Sequence, residues 1–144
     1  MLPPRTILVP IDFSANGLEA VWHARVLLQG GDGELLLLHV IEPPYYPALY
    51  AGGPFDGELL ASAQRRLEKI RDEEIGDRAE VTTLVREGTP YAEIVRVAEE
   101  ENVDLILLTT HGRTGVKHAL LGSTAERVVR SASCPVLTIR SGSK

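Results

Sequence analysis

The sequence contains a single cysteine, Cys134, among its 144 residues. One thiol allows no intramolecular disulfide and no cysteine-based zinc site, so the fold must rest on an apolar core. Apolar residues make up 44% of the chain and charged residues 24%, a balance typical of globular proteins and unlike that of disordered or fibrous ones. At this length we expect one domain, covering residues 1–144.

Long apolar runs and a basic excess are also missing. The longest apolar runs, residues 35–38 and 105–108, are far too short to cross a bilayer, so we expect no membrane partner. The first residues, MLPPRTILVPID, lack the apolar stretch and the cleavage site of a secretory signal, which favours a cytoplasmic protein. The net charge of −5 argues against a nucleic-acid partner, because proteins that bind the phosphate backbone usually have a basic surface.

Short apolar runs alternate with segments of helical periodicity from one end of the chain to the other. Helical spacing recurs around residues 18–28, 59–70, 91–98 and 125–132, with Trp22 expected in the core of the first helix. Thr89 is a suitable N-cap for the third helix, since Pro90 follows it. The runs predicted as strands are residues 6–11, 34–41, 80–86 (an edge strand, because its polarity is mixed), 104–109 and 135–140.

Strands that alternate with helices in this way are typical of βαβ units around a parallel sheet. The strands are continuously apolar, which indicates that helices cover both faces of the sheet. The expected fold is therefore α/β, a single open parallel sheet of five strands in the order 3-2-1-4-5, Rossmann-like or flavodoxin-like.

Ligands of open parallel sheets bind beyond the carboxyl ends of the strands, so the residues there are the candidates. A helix begins after Gly122, where Ser123 can act as N-cap and Glu126 can complete a capping box. Gly122 allows close approach of the backbone to a ligand, and free N–H groups at a helix start favour an anion. Residues 109–125 contain Arg113 and Lys117 but no acidic residue, which suits a phosphate site, with a solvated basic loop as the alternative.

The standard motifs of catalytic nucleotide chemistry are absent. No G-x-x-x-x-G-K-[ST] and no G-x-G-x-x-G after a strand occurs, which disfavours a Walker-type nucleotidase and a dinucleotide dehydrogenase. No G-x-S-x-G elbow is present, Ser123 has no evident base, and Asp12 has no paired carboxylate. We therefore expect no catalytic residues, and at most slow hydrolysis of a bound nucleotide.

Several residues have a structural interpretation beside the functional one. Asp12 is interpreted as a ligand-binding residue, with N-capping of the first helix as the alternative. His39 is expected to be a packed, hydrogen-bonded histidine, and Cys134 a buried structural thiol. His111 and His118 lack a third ligand, so no metal site is expected. Residues 42–57, rich in proline and tyrosine, are either a surface loop or a lid beside the ligand.

The end of the chain resembles the universal stress protein family. ATP-binding members of that family share G-x2-G-x9-G-[ST] after the fourth strand, and the corresponding residues here are Thr109, Gly112, Gly122 and Ser123. The opening ILVPIDFS, the second strand ending in His39 and Val40, and the stretch TTHGRTGVKHALLGSTAERVVRSASCPVLTIR are also similar to the family. Thr109 stands where the family has its first glycine, and we expect crowding of the ribose or the first phosphate by its Cβ to weaken the site without abolishing it.

The resemblance implies a site for ATP or another adenine nucleotide, with Mg²⁺ bridging its phosphates. The backbone of Val40 would pair with the adenine edge, and Pro10 and Asp12 would lie at the nucleoside end. Thr109 and Gly112 would line the ribose and first phosphate. The implied phosphate cradle is Arg113, Gly122, Ser123 and Thr124.

The resemblance also implies a homodimer through the last strand, from Pro135 to Arg140.

Three functions stay open at this point: a nucleotide-binding regulatory protein of the stress response, a weak ATP hydrolase using the same site, and a nucleotide-free module for an unidentified protein partner.

Overall fold

The computed structural model describes residues 3–28, 32–43, 57–110 and 121–140. The strands are β1 (Thr6–Pro10), β2 (Glu34–Ile41), β3 (Glu80–Glu87), β4 (Leu105–Thr109) and β5 (Val136–Ile139). The helices are α1 (Ala15–Leu27), α2 (Gly57–Ile70), α3 (Pro90–Glu100) and α4 (Ser123–Ser131). A π-helical turn (Arg71–Ile75) and a 3₁₀ turn (Gly76–Arg78) extend α2 towards β3.

The five strands form one parallel sheet in the order β3-β2-β1-β4-β5, which confirms the predicted fold and strand order. β1 lies at the centre, with Leu8 opposite Leu36 of β2 and Ile106 of β4. The order reverses between β1 and β4, so a crevice opens there beyond the carboxyl ends of the strands.

Each central strand sends alternate side chains to opposite faces, and each face has its own apolar core. On one face Val9, Leu37 and Leu107 pack with Val21 of α1 and Leu67 of α2. The other face packs its strand residues against α3 and α4, through Leu8, Leu38, Ile106, Val97 and Val128. The two layers fix where the strands end, and therefore where the crevice lies.

The expectation that Trp22 belongs to the core was wrong. Its side chain is 44% exposed, and its indole Nε1–H donates to Glu74 Oε2 at 2.8 Å. Indole combines a large apolar ring with one polar N–H, so it often lies at a boundary where that N–H has a partner. The buried positions of α1 are instead the small residues Gly17, Ala20 and Ala24, with Val21.

Thr89 is the N-cap residue of α3 and Pro90 begins the helix, as predicted.

Cys134 is only partly buried, against the expectation of a buried thiol, and packs on the α3–α4 face. Desolvation raises the pKa of this thiol, so it is protonated at neutral pH. Within the described ranges, no helix is long and apolar enough to span a bilayer.

Candidate functional site

A cavity of about 610 Å³ opens at the carboxyl ends of β1, β2 and β4, and we term it the carboxyl-edge cavity. It lies where the strand order reverses, the usual ligand position in an open parallel sheet. Its walls come from both sides of the sheet, including α2, α3 and the start of α4. Seven of the residues predicted from the sequence line it: Pro10, Asp12, Val40, Thr109, Gly122, Ser123 and Thr124.

Two other predicted residues, Gly112 and Arg113, lie outside the described residues, as do His111, His118 and residues 44–56 of the proline- and tyrosine-rich segment. The phosphate role of Arg113 and the lid role of that segment therefore stay predictions. Among the described residues, no group of three or more histidines, cysteines and carboxylates is placed to hold a metal ion.

The end of β1 is shaped by a short turn around Asp12. Asp12 Oδ1 accepts hydrogen bonds from the Ser14 backbone N–H at 2.9 Å and from Ser14 Oγ at 2.5 Å. Ser14, and not Asp12, is the N-cap residue of α1, so the capping alternative for Asp12 is wrong. Phe13 has a positive φ of 64°, a conformation that costs a non-glycine residue about 1 kcal/mol or more. The turn directs the chain from β1 into α1 along the cavity wall.

His39, near the end of β2, supports this turn. Its Nδ1 lies 2.7 Å from the Ile11 carbonyl oxygen, and its ring centroid lies 4.3 Å from that of Phe13. The expected packed and hydrogen-bonded histidine is thus confirmed. Because a carbonyl oxygen only accepts, Nδ1 carries the proton that it donates to Ile11.

Gly122 joins the end of β4 to the start of α4. Its N–H donates to the Thr110 carbonyl oxygen at 2.6 Å, and a Cβ at this position would lie 2.9 Å from that oxygen. The absence of a side chain is therefore needed for contact between two backbone segments, before any ligand is considered.

The predicted capping box at Ser123 was wrong. Gly122 is the N-cap residue, Ser123 is the first residue of the helix, and Glu126 pairs with Arg130 at 2.6 Å. The capping box would need the Glu126 carboxylate near Ser123, but that carboxylate is paired with Arg130, one turn further along the helix. The exposed Ser123 and Thr124 stand in the first turn of α4, whose backbone N–H groups have no partner within the helix.

Thr110 is a cavity residue that the sequence did not identify. It is 6% exposed, and its Oγ1 has no hydrogen-bond partner in the described part of the chain. A buried hydroxyl without a partner costs about 1–3 kcal/mol, so such groups usually bond to water or to a ligand. Its position on the cavity wall makes it a candidate ligand contact.

Arg66 is the second residue that the sequence analysis missed. It belongs to α2, lines the cavity, and places its guanidinium carbon 3.9 Å from the centroid of the Phe13 ring. Residues 66 and 13 are far apart in sequence, and helical periodicity showed only that Arg66 lies off the apolar stripe of α2. No local motif could have identified it.

Comparison with known proteins connects this arrangement to a family. The model of the universal stress protein family matches residues 4–140. Universal stress protein MJ0531 of Methanocaldococcus jannaschii is 37% identical over 145 residues, covering 97% of this chain and 84% of that protein. The solved structure of MJ0577 has a TM-score of 0.86 at 32% identity, covering 97% of this chain and 98% of that one.

A structure of the universal stress protein from Archaeoglobus fulgidus in complex with dAMP has a TM-score of 0.64 at 20% identity, covering 93% of this chain and 96% of that one. At that identity the likeness concerns the fold alone.

Proposed function

Because the chain belongs to the universal stress protein family, we propose that it binds an adenine nucleotide, ATP first, in the carboxyl-edge cavity. It would act as a regulatory protein of the cytoplasmic stress response, with the bound nucleotide as its signal. One observation supports this most: seven of the predicted site residues, from separate segments, line a single cavity whose wall contains the buried Thr110 hydroxyl, which has no partner among the described residues.

The proposed roles divide the cavity into two ends. At the nucleoside end, the Val40 backbone would pair with the adenine edge, with Pro10 and Asp12 beside it. At the other end, the first turn of α4 supplies N–H donors and hydroxyls to phosphate oxygens. Residues assigned to the phosphates and ribose are Thr109, Gly112, Arg113, Gly122, Ser123 and Thr124.

Ser123 and Thr124 are the residues that would face a Mg²⁺ ion bound together with the phosphates. Mg²⁺ keeps several waters and needs few protein ligands when phosphates are present, so it requires no dedicated carboxylate cluster. The hydroxyls of Ser123 and Thr124 are oxygen groups of the kind that it accepts. When bound, the ion would neutralise phosphate charge.

Thr109 decides between this proposal and a nucleotide-free interaction module. It ends β4, is partly buried and lines the cavity. We expect Thr109→Gly to change ATP affinity by less than about fivefold and to lower stability by about 0.5–1 kcal/mol, because glycine weakens a strand. Binding that appears only in Thr109→Gly would show that the Cβ closes the wild-type site.

Weak hydrolysis is the second candidate, because the Asp12 carboxylate lines the cavity. Its Oδ1 already accepts two hydrogen bonds from Ser14, which makes it a turn-forming group more than a base. We therefore expect phosphate release to be slow at most. A burst of phosphate proportional to protein and abolished by Asp12→Ala would favour the hydrolase.

We also propose a symmetric homodimer through β5. The strand lies at the sheet edge, has no charged residue within Val136–Ile139, and leaves Leu137 39% exposed. Such edges readily pair with a second strand. Light scattering at micromolar concentration should give a dimer mass, reduced to a monomer by Leu137→Glu but not by Val26→Glu, a substitution at an exposed position of α1. A monomeric wild type would refute the dimer.

The binding proposal is tested by titration calorimetry with ATP and Mg²⁺, after denaturation and chromatography have shown whether nucleotide is carried through purification. One site per chain is expected. No binding by protein shown to be free of nucleotide would refute the proposal.

A further inference from the structure

Arg66 differs from every other described residue on the wall of the carboxyl-edge cavity. The described wall includes two carboxylates, Asp12 and Glu42, but Arg66 is its one lysine or arginine. Arg66 offsets one of these two carboxylate charges, so the described wall would be twice as negative without it. Since a nucleotide brings negative charge of its own, this guanidinium has a large share in the electrostatics of the site.

The neighbouring arginine on the same helix provides a comparison. Arg65 forms an ion pair with Glu58, with 2.9 Å between Nη2 and Oε1. Arg66 forms no ion pair with any described residue, and its guanidinium stacks on the Phe13 ring. Stacking uses the flat face of the guanidinium and leaves its N–H donors, which lie in the plane, available to an anion.

His39 of β2 connects the Phe13 ring, on which Arg66 stacks, to the sheet. Phe13 contacts both Arg66 and His39, with its ring tilted 37° from that of His39, and His39 is bonded to the Ile11 carbonyl oxygen. The ring under the guanidinium is therefore itself supported by the sheet. A supported cation loses less conformational entropy when it meets a ligand than a free side chain does.

We propose that Arg66 is a specificity-determining residue. From its place over Phe13, beside the nucleoside end, its guanidinium would reach the phosphate nearest the ribose and make the site prefer phosphorylated ligands to the nucleoside. This rests on the proposed function, and it assigns a cation in α2 in addition to the loop arginine implied by the motif. Arg66 would therefore contribute to the affinity for AMP, ADP and ATP and little to that for adenosine.

The test compares Arg66→Gln with Arg65→Gln, which removes the same charge from the adjacent position. Each variant and the wild type are titrated with adenosine, AMP, ADP and ATP, and unfolding curves confirm that each is folded. We expect Arg66→Gln to weaken ATP binding about fivefold to tenfold and adenosine binding less than twofold, the range for one charge-assisted hydrogen bond. Arg65→Gln should leave all four affinities within twofold. Arg66→Lys should recover part of the ATP affinity, because it restores the charge but not the planar stack.

The outcomes separate this inference from the proposed function. If the wild type binds ATP and Arg66→Gln binds it equally well, Arg66 has no ligand role. If Arg66→Gln weakens adenosine and ATP by the same factor, the residue only shapes the nucleoside end through Phe13, and the charge-based role is overturned. A wild type that binds none of the four ligands overturns both the inference and the proposed function.

Discussion

The two ends of the sheet have cavities of similar size but different chemistry. The carboxyl-edge cavity measures about 610 Å³. At the opposite end, an amino-edge cavity of about 720 Å³ lies beside the starts of β1, β2 and β3. Volume alone would favour the amino-edge cavity, which is lined by Arg5, Thr6, Asp32, Gly33, Glu34 and residues 76–80.

Backbone groups at the amino edge are hydrogen-bonded to each other and to Asp104. Asp104 Oδ2 accepts the backbone N–H groups of Arg5 and Thr6 at 2.8 and 3.0 Å, and the Glu34 N–H donates to the Arg5 carbonyl at 2.7 Å. The described linings of both cavities contain more carboxylates than lysines and arginines, so charge alone does not separate the two ends. These hydrogen bonds stabilise this end of the sheet and already use the N–H groups of Arg5, Thr6 and Glu34 that could otherwise bind an anion.

The carboxyl-edge cavity has the opposite character. A buried hydroxyl at Thr110 lacks a partner in the described chain, a strained Phe13 turn forms one wall, and the first N–H groups of α4 face outward from the helix. Unused hydrogen-bonding capacity and backbone strain are features that folding alone does not favour. The contrast indicates that chemistry, and not volume, identifies the candidate site.

The largest effect should come from Gly122→Ala, which places a Cβ 2.9 Å from the Thr110 carbonyl oxygen. The end of β4 and the start of α4 must then separate, so we expect at least tenfold weaker ATP binding and a loss of about 1–3 kcal/mol of stability. Gly57→Ala is the control, since a Cβ there meets no atom of the described residues within 4 Å. Equal behaviour of the two variants, by calorimetry and by denaturant unfolding, would contradict the account.

A smaller effect is expected from Thr110→Val, which removes the unpartnered hydroxyl and nearly keeps the shape. ATP affinity should fall about threefold to tenfold, while the free protein should be as stable as the wild type or more so, because a buried polar group is lost. Thr138→Val on β5, away from the cavity, should leave affinity unchanged. A Thr110→Val protein that is less stable but binds ATP normally would show that the hydroxyl serves the fold.

The smallest effect concerns the amino edge. Hydrogen bonds from the Arg5 and Thr6 N–H groups lower the pKa of Asp104. A lowered carboxyl pKa stabilises the fold above the unfolded pKa, and that contribution is lost as pH falls through the folded pKa. Asp104→Asn should therefore be less stable than wild type at pH 7, by under about 1 kcal/mol for so exposed a group.

Thermal unfolding from pH 7 to pH 3 should show this gap closing below about pH 4. Neither Asp104→Asn nor Asp77→Asn, at a position in the wall of the amino-edge cavity, should change ATP affinity. A change of ATP affinity in Asp104→Asn would mean that the amino edge and the carboxyl edge are energetically coupled, which would contradict the separate roles assigned to them.

The sequence was sufficient for the fold because its signals are local and repeated. Five apolar runs alternating with amphipathic segments predicted the sheet, and only the strand ends differ, as where β3 continues to Glu87. Trp22 was misplaced because periodicity shows which helix face is apolar. It does not show that Glu74, distant in sequence, meets the indole N–H.

For the site, the sequence was sufficient only where one segment contains the information. The motif from Thr109 to Ser123 and the end of β1 are local, and their described residues do line one cavity. Ser123 was assigned as N-cap from a pattern that an ion pair between Glu126 and Arg130 overrides. Arg66 and the unpartnered Thr110 hydroxyl depend on packing between distant segments, which no single stretch of sequence encodes.

The most direct test of the central claim is to locate the ligand by titrating isotopically labelled protein with ATP and Mg²⁺ and following backbone amide resonances. The account predicts shifts concentrated at Val40, Thr109, Thr110 and Ser123, with no change at Gly33, Glu34 or Gly76. Shifts concentrated at the amino edge, or none at saturating ATP, would contradict the assignment of the carboxyl-edge cavity as the nucleotide site.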